Sequence, residues 1–284
     1  MNKDMSTAHA PLPTTASNSA AVPSTTTESI VFQPTAQQAY LMRLGDTCLI
    51  HAQRLAEWSG HAPVLEEDIA LTNLALDLVG QARALLTHVG AQAGFDEDQL
   101  AFLRNERDFR NMTLAELPGR KAGRDFADAV VRNLLLAAWM NVLWAKLESS
   151  SDAETAAIAG KAVKESRYHV AHAADWVVRL GDGTDESTRR MRQAVARLWP
   201  YTAELFETDA IDAAAAESGL GPLRVALQAE WLAIVEPVFA EAGLEIPAAS
   251  AFRSTGSRGA HSEHMGYLLA EMQTLQRSFP GGVW

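Results

Sequence analysis

The segment VVRNLLLAAWMNVLW, residues 130–144, has the length and spacing of a helix and apolar side chains on more than one face. A helix of that kind has no polar face to turn to water, so it belongs at the centre of other helices. Three more segments of 20 residues or more, at about 37–58, 66–93 and 152–180, carry the helical period. Thr35 is placed to cap the first, and its stripe runs through Leu41, Leu44, Cys48, Leu49, Ala52 and Leu55. The second opens with acidic residues, as a helix N-terminus favours. Shorter helices are expected at about 96–109, 187–206, 222–242 and 262–279, with loops at ELPGRKAGRD, SSSD and GDGTDES. No segment alternates with β-branched residues as a strand would. The expected fold is all-α: a helical bundle with peripheral helices.

Residues 1–34 are rich in Ser, Thr, Ala and Pro and nearly uncharged, and lack the basic-then-apolar order of a secretory signal. They read as a disordered N-terminal extension, leaving one helical domain over 35–284. The net charge of −11 argues against a nucleic-acid partner and against attraction to anionic lipid. No apolar run is expected to approach the roughly 18 residues of a membrane span. The one cysteine, Cys48, excludes an internal disulfide and reads as a buried thiol. A cytoplasmic location is expected.

Within KESRYHVAH, residues 164–172, Glu165, His169 and His172 share one helical face. Helical bundles hold pairs of iron ions with a glutamate from each of two helices and Glu-x-x-His from each of two others. That set is incomplete here. The first long helix offers Asp46 and Glu57; the second offers Asp77, with Gly80 where the histidine would stand; the third offers only Asn133 and Asn141. In the fourth, Tyr168 occupies the histidine position and His169 is one step late. Asp77, Glu165 and His169 therefore read as degenerate positions of a metal-free network, with Arg83, Tyr168 or the histidines as partners for Glu165. His261 and His264 read as structural or solvent-facing beside a capping Ser262. There is no G-x-S-x-G, no phosphate-binding glycine loop and no Cys-x-x-Cys.

Four blocks in order, MRLGDTCLIHAQRLAEWSGHAPVLEEDIALTNLALDLVGQAR (42–83), KAVKESRYH (161–169), LWPYTAELF (198–206) and HSEHMGYLLAEMQTLQR (261–277), closely resemble the C subunits (PaaC type) of ring-1,2-phenylacetyl-CoA epoxidase. The resemblance implies a ferritin-like bundle whose di-iron site is degenerate, and a structural role. It implies a homologous A subunit that carries the di-iron centre, a separate reductase that uses NADPH, and no cofactor on this chain. It further implies that the two homologous subunits form the acyl-CoA pocket between them.

For that pocket the candidates are Phe109, Arg110, Asn111 and Met112, in the basic stretch LRNERDFRNM, and more weakly the small residues Ala214, Ala215 and Ala216. The other reading of 103–112 is a solvated helix end whose acids balance its arginines. Two rival functions are an autonomous ferritin-like di-iron oxidase or metal-storage protein, and a free-standing acyl-CoA-binding module. A chain of this kind is also expected to self-associate when alone.

Overall fold

The computed structural model describes residues 29–119, 125–280 and 282. Ten α-helices stand among them, and no strand; the only bridge is the isolated pair Thr255–Ala260. The four long helices are α1 (Ala36–Ala56), α2 (Leu65–Ala93), α5 (Phe126–Leu147) and α6 (Ala153–Gly181). The starts follow from local chemistry. Thr35 accepts from the Gln38 amide in a capping box, Asp125 caps α5 and Asp152 caps α6. Gly94, at φ 79°, ends α2 in the left-handed conformation.

Packing joins α1 with α2 and α5 with α6, and α2 meets α6 to close the bundle. The fold is the expected all-α, ferritin-like bundle with peripheral helices. The innermost helix is α5, with Val131, Leu134, Leu135, Leu136, Ala138 and Leu147 essentially without solvent contact. Two tryptophans tie it to the layer outside: Trp139 Nε1 donates to Leu205 O at 3.1 Å, and Trp231 Nε1 donates to Leu135 O at 2.9 Å. Those bonds attach the peripheral layer of α7 (Asp185–Leu198), the 3-10 turn Trp199–Phe206 and α9 (Gln228–Glu241).

Several boundaries differ from expectation. The helix expected at 96–109 is a six-residue α3 (Glu97–Phe102), then a 3-10 turn at Glu106–Asp108 and an extended, buried strap leading into α4 (Thr113–Glu116). The Ala-rich stretch forms α8 (Ala210–Glu217), and the last helix is α10 (Glu263–Ser278), capped by Ser262. Pro200 at the start of the Trp199–Phe206 turn removes an α-helical donor there, so α7 stops at Leu198.

Of the extension read as residues 1–34, only residues 29–34 can be described. Residues 1–28 lie outside the described residues, but Ile30 N donates to Leu103 O at 3.0 Å and Phe32 meets Phe95 edge-on at 5.7 Å. The side chains of Ile30 and Phe32 pack against the core there. The expectation that no segment could span a membrane also needs correction, because occasional polar residues interrupt two long apolar helices without making them polar. Both α2 and α5 are long and apolar enough to cross a membrane by length and composition. For α5 the cause is its central place, with 89% of its most apolar window buried; for α2 the figure is 44%, because apolar residues also cover its outer face.

Candidate functional site

Where a ferritin-like bundle would house metal, this chain places seven polar groups. They are Cys48 and His51 of α1, Asp77 and Gln81 of α2, Asn133 of α5, and Glu165 and His169 of α6. They pair with one another. His169 Nε2 meets Asp77 Oδ2 at 3.1 Å, Gln81 Nε2 donates to Glu165 Oε2 at 3.0 Å, and Cys48 Sγ reaches Gln81 Oε1 at 3.5 Å. His51 Nε2 meets Asn133 Oδ1 at 3.3 Å, and Lys161 approaches Glu165 from outside at 3.3 Å.

Burial holds the two histidines and the thiol of this centre toward their neutral forms. Burial holds His51 down at about 3, with the Arg132 charge adding to the effect. Burial lowers His169 too, against the pull of the Asp77 carboxylate. Cys48 is pushed far up by burial, so its thiol stays protonated.

This donor set does not fit a di-iron pair. Two carboxylates, one of them tied to Gln81 and Lys161, leave most of the charge of two iron ions uncompensated. Among the described residues no cluster of three or more His, Cys, Asp or Glu could hold a metal. The two acids that α1 offered in sequence are occupied elsewhere. Asp46 pairs with Arg104, and Glu57 with Arg54 while accepting from Gly119 N at 3.2 Å. Arg83, expected as a partner of Glu165, bonds Glu97 at 3.0 Å, and Tyr168 is exposed.

The two carboxylates also differ in depth, which sets their expected cost. Asp77 retains 38% of its side-chain exposure and Glu165 18%. Glu165→Ala should destabilise by about 1–3 kcal/mol by leaving Gln81 Nε2 unpaired, and Asp77→Ala by less, because His169 is comfortable neutral. Urea midpoints of the two variants check the order.

Of the candidate acyl-CoA residues, those at 109–112 lie in the strap and those at 214–216 in α8. Phe109, Asn111 and Met112 are fully buried, Ala215 likewise; Arg110 and Ala214 are half-buried and Ala216 exposed. Arg104 is buried as well, ion-paired to Asp46 with its guanidinium 4.2 Å from the Phe109 ring centre. Asp46 also accepts from Arg110 N at 2.8 Å, so one carboxylate of α1 fixes the start of the strap.

The strap is held by other buried carboxylates. Glu204 accepts from Thr113 N at 3.0 Å, Ser254 Oγ at 2.7 Å and Ser257 N at 2.7 Å. Gly256 permits this approach, since a Cβ there would stand 2.7 Å from Asn111 O. Glu116 accepts from Asn111 Nδ2 at 2.8 Å and faces His261 Nδ1 at 2.7 Å, while His261 Nε2 faces Phe109 O at 3.0 Å.

A carboxylate and a carbonyl both accept, so both ring nitrogens of His261 carry protons and the ring is an imidazolium. Burial alone would lower its pKa, but the Glu116 bond, the Glu116 charge and the Phe109 carbonyl hold it above the ordinary value. The sign follows. A raised folded pKa contributes stability that is complete below the unfolded value of 6.5 and is lost as pH rises through the folded one. His261→Gln should therefore flatten the fall in melting temperature on the alkaline side of 6.5, measured as a pH series beside the unchanged chain.

The structure does bring the two candidate segments together. Asp212, in the first turn of α8, bonds Arg43 Nη1 at 3.0 Å and Arg224 Nε at 3.0 Å, and Arg224 Nη1 reaches Met112 Sδ at 3.5 Å. Around this arginine pair Tyr40 Oη, Arg43 Nε, Asn111 Oδ1 and Arg224 Nη2 are buried and lack a partner among the described residues. These contacts span 12 to 169 residues of sequence, and only the basic composition of 103–112 hinted at them.

Likeness to known proteins now adds to the geometry. The model of the phenylacetic acid catabolic protein family matches residues 23–284. The C subunit of the 1,2-phenylacetyl-CoA epoxidase of Escherichia coli (strain K12) is 48% identical over 247 residues, covering 87% of this chain and 98% of that protein. Among solved structures, a Synechococcus protein described as having aldehyde deformylating oxidase activity matches with TM-score 0.52 at 17% identity, over 85% of this chain and 100% of its own. That likeness speaks for the fold alone. A family model that matches nearly the whole chain, and a relative matched along nearly its full length, give one conclusion: the chain belongs to the phenylacetic acid catabolic protein family and to its PaaC type.

Proposed function

We propose that this chain is the non-catalytic, structural subunit of a multicomponent di-iron oxygenase that epoxidises the aromatic ring of phenylacetyl-CoA in aerobic phenylacetate degradation. The observation that carries the reading is the bundle centre. Cys48, His51, Asp77, Gln81, Asn133, Glu165 and His169 pair with one another there and leave too little carboxylate for two iron ions. The iron then belongs to a homologous catalytic A subunit, and the electrons come from NADPH through a reductase subunit. An acidic chain with a single buried thiol supports a cytoplasmic setting.

The acyl-CoA contact rests on the junction of strap and α8. Arg110 has no side-chain partner among the described residues and is half-buried, as suits a donor kept for a phosphate or carbonyl oxygen. Ala214 and Ala216 leave small, accessible side chains on α8 for close approach of a partner or ligand, while Phe109, Asn111, Met112 and Ala215 are buried. In the reaction this chain would orient the coenzyme A portion and exclude water from one side of the substrate.

Turnover of phenylacetyl-CoA by this chain alone, by the catalytic subunit alone and by the two copurified tests the reading. Only the pair should be fully active, given reductase and NADPH. Arg110→Ala should raise the KM for phenylacetyl-CoA in that pair several-fold at an unchanged melting temperature. Full turnover by the catalytic subunit without this chain would contradict the structural role.

A further inference from the structure

We propose, resting on the acyl-CoA contact assigned to Arg110 above, that His261 and Gly259 are positioning residues that act through Arg110. Neither touches the ligand. Together they fix the backbone and the guanidinium of an arginine that stands in an extended segment, where no helix or sheet would hold it.

The backbone is held at a single peptide plane. The N–H of that plane belongs to Arg110 and donates to Asp46 of α1 at 2.8 Å. Its carbonyl belongs to Phe109 and accepts from His261 Nε2 at 3.0 Å. With both ends of a rigid plane bonded, the direction in which the Arg110 side chain leaves the strap is set. Glu116 of α4 holds His261 from behind, at 2.7 Å from Nδ1, and also accepts from Ser262 N at 2.5 Å and Asn111 Nδ2 at 2.8 Å. One carboxylate therefore ties the residue after His261 to the residue after Arg110.

The side chain is guided by the same loop. Gly259 is buried, has φ 81° and lies against the guanidinium. A Cβ there would collide with Arg110 Nη1 and stand 2.6 Å from Arg107 O, and a backbone carbonyl cannot step aside. The turn that delivers this glycine is closed by Gly259 N to Gly256 O at 2.8 Å and Ala260 N to Thr255 O at 3.2 Å. It is pinned to the far end of the strap by Gly256 N donating to Thr113 Oγ1 at 3.0 Å. No carboxylate comes with it: residues 255–260 carry Arg258 as their only charge, and that side chain pairs with Glu207 at 3.3 Å. The loop thus holds the guanidinium while leaving its donors open. An arginine ordered before the ligand arrives loses less freedom on binding, which favours affinity.

Double-mutant cycles on the copurified pair, given reductase and NADPH, are the test. Gly259→Ala and His261→Leu should each raise the KM for phenylacetyl-CoA several-fold with little change in kcat. His261→Gln should raise it less, because its amide keeps one of the two donors. In the Arg110→Ala background none of the three should raise KM further, since the group they position is gone. A purely structural role would make the effects multiply, and multiplication overturns the proposal. So does an unchanged KM in Gly259→Ala and His261→Leu while Arg110→Ala raises it, an outcome that leaves the Arg110 contact standing. An unchanged KM in Arg110→Ala itself would instead remove that contact, and the positioning role with it.

Discussion

Replacing Asp212 with alanine should lower the melting temperature by about 10 °C, the largest effect expected of any single polar substitution here. Asp212 has no solvent exposure and lies between Arg43 and Arg224, themselves 1% and 2% exposed. Its loss leaves two buried guanidinium groups with Asp209 as the one remaining carboxylate, at 2.7 Å from Arg43. Breaking a buried pair from one side costs about 3–5 kcal/mol, because the surviving charge has no water to return to. In a domain of this size each kcal/mol moves the midpoint by about 2–4 °C. Asp209→Ala should cost clearly less, since Asp209 is 19% exposed and Asp212 still holds both arginines. A calorimetric scan of the two variants decides it. Equal midpoints would show that the arginine pair does not depend on Asp212.

The second large effect is acid sensitivity centred on His51. Its pKa falls from the ordinary 6.5 to about 3 on folding, through burial first and the Arg132 charge second. Such a group contributes stability that is complete above the unfolded value of 6.5 and is lost progressively as pH falls toward 3, because the unfolded chain takes up a proton that the folded chain refuses. The loss approaches about 1.4 kcal/mol per pH unit where the difference in protonation is complete. His169, also lowered by burial, acts with the same sign. His51→Gln removes the titration while keeping a group able to bond Asn133. Urea melts at a series of pH values below 6.5 should show the variant losing stability less steeply than the unchanged chain. Parallel curves would place the acid sensitivity elsewhere.

The bundle was legible because its signals are local. Thr35, Asp125 and Asp152 cap where capping chemistry says they should, and the all-round apolar surface of residues 130–144 requires a central helix. The missing ligands were legible for the same reason: Gly80 and Tyr168 stand at fixed helical offsets from Asp77 and Glu165. The strap was not. Phe109 and Arg104 look like a basic helix end until Asp46, 58 residues from Arg104, takes up its charge. Burial of an arginine depends on a carboxylate that only the fold delivers, and no periodicity records that. His261 shows the same limit. Beside His264 and a capping Ser262 it read as structural or solvent-facing, whereas Glu116 and the Phe109 carbonyl determine what it does. The outer row of α2 lay in plain view as apolar residues, but only burial separates those that face α1 from those that face outward.

Iron content after anaerobic loading with ferrous ion and removal of loosely held metal tests the central claim most directly: that the polar groups at the centre of this bundle pair with one another and leave no place for a metal pair. Iron should be near zero per chain, and the chain copurified with its catalytic subunit should hold iron only in proportion to that subunit. About two irons retained per copy of this chain alone, the complement of a bundle-type dinuclear site, would contradict the claim and make the chain an oxidase or metal-storage protein in its own right.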